Sequence, residues 1–395
     1  MPTITGTWTG QDQERCRVQR IPVELPVGAR ALRVELEFDP REGVIDLGLL
    51  DPTGFRGWSG GARRRFVVMP DRATPGYLPG PLDPGTWQVM LGLHRVSPSG
   101  TPYRLTYDFE PGPTDARVVS GARPQRARPR SFPGSAGRRW LPGDLHAHTE
   151  HSDGELSVQE LADLAGQQGL AFLAVTDHNT ISHFAELASV STLSGLLLLE
   201  GQEVTTARGH ANAIGTPRWV DFREPVERWR AEAQAQGGVL TINHPLAGDC
   251  AWQLDPPPPS SLVEAWHGPT ASHTLEALEW TDRHAGVAIG GSDYHRASDP
   301  MLPGQPTTWL EVEEPTAAGL VDALCQRRVA VSADAVGPVL LRRDEDLLVA
   351  GAQGCELHGP RGERLMVSDD HQVVRQVASG RHRLVTPAGE LLALA

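Results

Sequence analysis

Between residues 144 and 295, imidazole and carboxylate side chains fall in short, separated clusters, and nearly every cluster follows a run of apolar residues. The clusters are His146 and His148 with Asp153, the pair Asp177 and His178, Glu203 with His210, His244, and Asp293 with His295. Side chains this far apart in sequence meet only in a fold whose strands deliver their ends to one face. A parallel α/β sheet or barrel does this, because the loops after its strands converge at one rim. Neutral imidazole and carboxylate are ligands for Zn, Mn and Fe, and a set of this size can hold more than one ion.

The surrounding sequence agrees with such a fold. From 140 to 328, apolar runs ending near 145, 176, 204, 214, 243, 266 and 290 alternate with helix-like stretches at 157–168, 181–193, 225–236, 274–284 and 317–328. This is the pattern of βα units. Ser157 with Glu160 makes a capping box, and Pro225 suits a first helical turn. His146 and His148, two apart on an extended strand, point to the same side. His210 opens its strand and enters from the loop before it.

The flanks read differently. Up to residue 110, short alternating runs at 31–38, 44–50, 87–93 and 103–109 are separated by Pro/Gly turns, which predicts a β-sandwich. Segment 111–139 is rich in Pro, Gly, Ser and Arg, with Arg123, Arg126, Arg128 and Arg130 close together, and reads as a solvated linker. Beyond 328 the chain returns to short strands, a small C-terminal β unit in which His358, His371 and His382 are expected at the surface. The expected organisation is therefore a sandwich over 1–110, a linker over 111–139, an α/β unit over 140–328 and a β unit over 329–395.

Composition narrows the function. A chain of 395 residues exceeds one ordinary domain, and a net charge of -13 argues against general nucleic-acid binding, which needs positive charge to displace counterions. Cys16, Cys250, Cys325 and Cys355 form no CxxC pair or framework, as expected of reduced thiols. Cys250 follows His244 in a loop but reads as a bystander. No window approaches the ~20 apolar residues of a membrane span, and the first residues lack a signal-like pattern. The expectation is a cytoplasmic protein without membrane contact; a homo-oligomer is compatible with the sequence.

The motifs DLHAHTEHSDG (144–154), VTDHN (175–179), EGQEVTTARGH (200–210), INHP (242–245) and GGSDYH (290–295) occur in that order. As a set they resemble the PHP superfamily, named for polymerase and histidinol phosphatase. The segment TTWLEVEEPTAAGLVDALCQRRVAVS (307–332) is similar to its carbaryl-hydrolase-like branch. The resemblance implies a distorted seven-stranded (β/α) barrel holding two or three divalent metal ions, Mn, Fe or Zn. One ion would take His146, His148, Glu203 and Asp293; a second Asp153, His178 and His295; a third Glu203, His210 and His244, with Glu203 bridging. Some members carry His at the Asp153 position, so the oxygen ligand here favours Mn or Fe over Zn at that site.

The implied activity is that of a metal-dependent hydrolase, a phosphoesterase in which a hydroxide between two cations attacks a small phosphate ester or nucleotide. The alternative is a carbamate or carboxylic ester hydrolase using the same hydroxide, and a further one is an inactive metal-bound interaction module. Asp153, Glu203 and His295 are the catalytic candidates among the ligands. Arg208 is a candidate phosphate clamp and His151 a candidate general acid. Asp144 and Asp177 either orient ligand imidazoles or cap backbone amides. Glu264 and His267 fall beside the site, whereas His183, His273 and His284 are expected to be packing or surface residues. The Pro-rich loop 255–260 and the sandwich are candidates to cover the mouth.

Overall fold

The computed structural model describes residues 1–115 and 124–395; Arg123 of the linker lies outside them. The N-terminal part is two antiparallel four-stranded sheets. One is ordered Thr3–Trp8, Thr101–Asp108, Leu32–Phe38, Arg65–Val68, and the other Val18–Leu25, Gly85–Val96, Gly43–Asp51, Gly54–Gly60. Period-two alternation builds the shared core. In Leu32–Phe38, Leu32, Val34 and Leu36 are buried while Glu35 and Glu37 face out. Phe66, Leu47, Trp87 and Leu105 complete that core, each such side chain contributing about 1.5–3 kcal/mol on burial.

The central part is mixed α/β. Strands Arg139–Asp144, Phe172–Val175 and Leu197–Thr206 pair in parallel. Gly209–Ile214 then runs antiparallel to both neighbours, and Val239–Ile242, Leu262–His267 and Val287–Gly291 resume parallel pairing. The first and last of these strands are brought together just past their ends by a bridge between Ala147 and Tyr294. There His148 N donates to Tyr294 O at 2.9 Å and Asp293 N to His146 O at 2.9 Å. Ligand candidates thus sit on the backbone that joins the two edges.

Helices fall in the expected windows, at Val158–Gln167, Phe184–Ser194, Val226–Ala235, Thr274–Arg283 and Ala317–Cys325. The first starts at the capping box of Ser157 and Glu160, and buries Val158, Leu161, Ala162 and Ala165 at helical spacing against the sheet. Among the described residues no helix is long and apolar enough to cross a membrane.

Beyond the α/β part, Thr307–Val312 pairs antiparallel with the other side of Arg139–Asp144. Val329–Ser332, Leu391–Leu394, Arg383–Val385, Glu356–His358 and Arg364–Met366 then continue the same sheet. A separate three-stranded sheet, Val339–Arg343, Asp346–Ala350 and His371–Val374, packs beside it. Two expectations need correcting here. His382 is not a surface histidine: it is 3% exposed, with Arg342 donating to its Nδ1 at 3.2 Å. The linker is not simply solvated either. Arg126 donates to Leu170 O at 3.1 Å, Arg130 to Val336 O at 2.7 Å and Gly337 O at 2.6 Å, and Phe132–Pro133 pairs with the start of Arg139–Asp144. Guanidinium groups there satisfy loop carbonyls that helix and sheet bonding leave open. Of Arg126, Arg128 and Arg130, Arg128 alone is exposed.

Candidate metal centre

The strand ends converge on Glu203, near the end of Leu197–Thr206 and fully buried. Its Oε1 lies 3.3 Å from His146 Nε2, 3.2 Å from His210 Nδ1 and 3.4 Å from His244 Nε2. Its Oε2 lies 2.7 Å from His178 Nδ1 and 3.6 Å from His148 Nε2. Asp293 forms a second focus: Oδ1 is 3.1 Å from His146 Nε2 and 3.0 Å from His148 Nε2, and Oδ2 is 3.1 Å from His267 Nε2. Asp153 faces His178 at 3.6 Å and His295 at 3.4 Å.

The backbone is bent to make this possible. His244 (φ 27°) and Asp293 (φ 51°) are non-glycine residues in the left-handed region, directly after apolar strands. Such a conformation costs about 1 kcal/mol or more and persists only where surrounding contacts hold it. Here Asp293 N is held by His146 O, and His244 N donates to Glu264 Oε2 at 3.0 Å.

A ring of polar groups orients the imidazoles and carboxylates from behind. Glu264 Oε1 meets His146 Nδ1 at 2.9 Å, Thr205 Oγ1 meets His178 Nδ1 at 2.6 Å, and Asn243 Nδ2 donates to Glu203 Oε1 at 2.8 Å. His267 Nδ1 rests on Thr270 Oγ1 at 2.8 Å and His295 Nδ1 on Asp293 O at 2.8 Å. Fixing one ring nitrogen directs the other, which is how ligand histidines are aimed.

The electrostatics are those of a buried, mutually dependent cluster. Burial depresses His148 to about 4, with His295 and His178 adding to the effect. Burial also opposes the charged form of His178, but Glu203 and Asp153 overcome it and lift the imidazole to about 10. For His295 burial is outweighed by Asp153 and Asp293, which raise it to about 9. Burial likewise works against the Glu203 and Asp293 carboxylates, yet His178 and His146 respectively hold them well below the usual carboxylate range.

The residues fit divalent cations. His146 Nε2, His148 Nδ1, Asp153 Oδ1, Glu203 Oε2 and His244 Nδ1 are buried and make no hydrogen bond, although several lie beside potential partners. Buried polar atoms rarely go unsatisfied, and imidazole lone pairs facing one another need an electron acceptor between them. Ligand atoms gather within 4.8 Å of one another in the groups His148, Asp153, His178, His295; His146, His244, Asp293; His146, His148, Glu203; His178, Glu203, His210; and His244, Glu264, His267. Nitrogen and oxygen donors at this spacing suit divalent metal ions.

All nine ligand candidates from the sequence enter these groups, but the partition differs. His210 gathers with His178 and Glu203, and His244 with His146 and Asp293; the expected trio of Glu203, His210 and His244 is not one of the groups. Glu264 and His267 join, having been placed only beside the site. Arg208, the candidate phosphate clamp, is exposed, and one of its guanidinium nitrogens donates to Gln253 O at 2.7 Å. His151 is also drawn away, its Nδ1 against Ser182 Oγ at 2.7 Å and its Nε2 against Glu186 at 3.1 Å, so neither ring nitrogen is left for substrate. For Asp144 and Asp177 the capping alternative holds. Asp144 accepts from the backbone of His146, Ser292 and Gly304, and Asp177 from Thr149 and Ser152 while facing His183. Burial pushes the Cys250 thiol up to about 12, leaving it neutral.

Residues 144–245 match the PHP domain. The chain is 35% identical over 82 residues to a 3',5'-nucleoside bisphosphate phosphatase of Chromobacterium violaceum, covering 21% of this chain and 29% of that protein. It is 41% identical over 63 residues to a 5'-3' exoribonuclease of Haemophilus influenzae, covering 16% of this chain and 23% of that protein. The similarity therefore spans less than a third of either relative. Among solved structures, a two-domain protein of Bacteroides vulgatus containing a predicted PHP-like metal-dependent phosphoesterase is similar over 69% of this chain and 99% of its own, at 20% identity and a TM-score of 0.47.

Proposed function

We propose that this chain is a multinuclear metal-dependent phosphoesterase acting on a small phosphate ester or a nucleotide. The observation that carries the reading is the crowding of five imidazoles, His146, His148, His178, His210 and His244, within 4 Å of the one buried carboxylate of Glu203. One carboxylate cannot accept from five rings, so a cluster of this kind costs stability unless cations sit among the donors. The PHP match and the similarity to a nucleoside bisphosphate phosphatase favour phosphate as the reacting group. The seven strands from Arg139–Asp144 to Val287–Gly291, with their edges bridged, are read as the distorted barrel of that family.

In this reading His146, His148, Asp153, His178, Glu203, His210, His244, Asp293 and His295 hold two or three ions, with Glu203 shared. When bound, the cations supply Lewis acidity that activates water and offsets charge on the phosphoryl oxygens. Water adds across the ester: a P–O bond to water forms, the P–O bond to the alcohol breaks, and the alcohol leaves with a proton. Glu264, Thr205 and Asn243 keep the histidines and Glu203 in register, and Asp177 fixes the 149–154 loop that carries Asp153.

Purified protein reconstituted with Mn is assayed on p-nitrophenyl phosphate, bis-p-nitrophenyl phosphate and a naphthyl carbamate. Hydrolysis of a phosphate ester that is abolished by chelation is the expected result. Turnover of the carbamate alone transfers the chemistry to a carbonyl, as in the carbaryl-hydrolase-like branch, and no turnover of any probe overturns the enzyme reading.

A further inference from the structure

The candidate metal centre opens into a cavity of about 1060 Å³ whose opposite wall belongs to the N-terminal sandwich. From the α/β side Asp153, His178, His210 and Phe222 line it; from the sandwich side Asp46 and Trp58 do. This volume is at the upper end of what small-molecule sites offer and far exceeds a phosphate group. A substrate that engages the metals has room for a sizeable alcohol portion.

The sandwich wall is fixed in place. Trp58 and Phe222 meet across the junction with ring centroids 4.7 Å apart, Phe55 stacks on Trp219 at 4.1 Å, and Leu50 and Met90 share a core with Val204 and Trp229. Arg63 donates to the main-chain oxygens of Ser152, at 3.0 Å, and Glu150, in the loop that bears Asp153. Gly76 N donates to Ser182 Oγ at 2.9 Å, and Thr180 Oγ1 donates to Gly76 O at 2.9 Å. Gly76 (φ 99°) must be glycine, since a Cβ would lie 2.9 Å from His151 O and 3.0 Å from Trp58 O.

Asp46 is the unusual member of that wall. It makes no hydrogen bond or ion pair among the described residues, although it sits in the middle of strand Gly43–Asp51. Its register partner is Gly92, where a Cβ would lie 2.8 Å from Asp46 Oδ2 and 2.8 Å from the Trp58 ring, so a glycine there is what admits both side chains. Burial pushes the Asp46 carboxyl up to about 7 against the pull of His178. Asp46 is half-buried on the cavity wall and unpaired, so a cation that enters the cavity meets a free carboxylate. A free carboxylate on a cavity wall that also carries an indole edge and a phenyl ring suits an organic ammonium group.

We propose that the sandwich is the specificity wall of the site, and that its Asp46 receives the ammonium end of a phosphate ester whose phosphate lies at the metals. The inference rests on the phosphoesterase reading for the phosphate end only. The test uses the full chain loaded with Mn and two probes differing in one group, tyramine O-phosphate and its uncharged isostere para-propylphenyl phosphate. The expected result is a KM about tenfold lower for the tyramine ester, with kcat values within about twofold. Asp46→Asn should raise the tyramine-ester KM to that of the isostere, at the metal content and thermal midpoint of the parent. Equal KM values in the parent, or a preference retained in Asp46→Asn, overturn the proposal.

Calorimetry with tyramine and para-propylphenol, neither bearing phosphate, separates the two readings and needs only the parent protein if the variant does not fold. Tyramine binding preferred over para-propylphenol supports the wall even if no phosphate ester turns over. Hydrolysis of p-nitrophenyl phosphate without that preference sinks the wall and leaves the phosphoesterase standing.

Discussion

Two β-rich units flank the α/β part, one lying over the strand ends and the other extending the sheet from its edge. The N-terminal sandwich lies over the loops that follow the strands, fastened there by Arg63, Gly76 and the Trp58–Phe222 contact. The C-terminal strands instead continue the sheet through Val329–Ser332 and cover the beginning of Arg139–Asp144, where Trp140 Nε1 donates to Arg342 O at 3.2 Å and packs with Trp309, Val339 and Leu341. Similar composition thus serves two purposes. The chemistry sits where strands end, so a unit docked at that face shares the site, and one that extends the sheet edge adds to its stability.

The largest effect is expected at the shared focus. Glu203→Ala removes the carboxylate around which five histidines gather, and should lower activity by about 10³ or more and reduce bound metal in the same preparation. Activity within tenfold of the parent would break the assignment. One layer out, Glu264→Gln frees His146 Nδ1 and the His244 backbone, and metal titration should show affinity weakened by roughly 10–100-fold.

The flanking units are separated by a matched pair of changes. Arg63→Ala unfastens the 149–154 loop from the sandwich, and metal affinity should fall by roughly tenfold, with Arg63→Lys recovering part of it. His382→Ala, in the C-terminal unit, should cost about 1–2 kcal/mol of stability in denaturant unfolding while metal content and kcat/KM stay within about twofold. If the two variants exchange these behaviours, the assignment of roles is reversed.

A pH series on metal-free protein gives a smaller but signed effect. His178 and His295 have folded-state values raised to about 10 and about 9 from 6.5. Their contribution to stability is therefore complete below about pH 6.5 and is lost as pH rises through 9 to 10. The metal-free chain should melt at progressively lower temperature across that window. Metal, which takes the place of the protons, should flatten the decline and release protons on binding. A midpoint that rises with pH over the same range would contradict the cluster's electrostatics.

Much of this was legible in the chain because the signals are local. The ligand candidates sit immediately after apolar runs, and the βα alternation places those ends on one rim. The capping box of Ser157 and Glu160 marks its helix start to the residue. The less legible positions share a cause, namely that a side chain's partner lies elsewhere in the fold. His151 sits between ligand candidates in sequence, yet Ser182 and Glu186 capture its ring. Arg208 precedes His210 by two residues, yet Gln253 O takes its guanidinium. Asp144 and Asp177 are spent on backbone amides of the loops they anchor. Asp46 and Arg63 gave no signal at all, since their importance depends on how the sandwich docks, and no periodicity encodes that. Glu264 and His267 were visible as polar residues at a strand end, and only the folded geometry shows them touching His146 and Asp293.

Whether the buried His/Asp/Glu cluster is a multinuclear metal centre is decided by elemental analysis of the Mn-reconstituted chain after exhaustive desalting. About two or three ions per chain are expected, falling in Glu203→Ala; one ion contradicts the multinuclear arrangement, and none contradicts the metal centre itself.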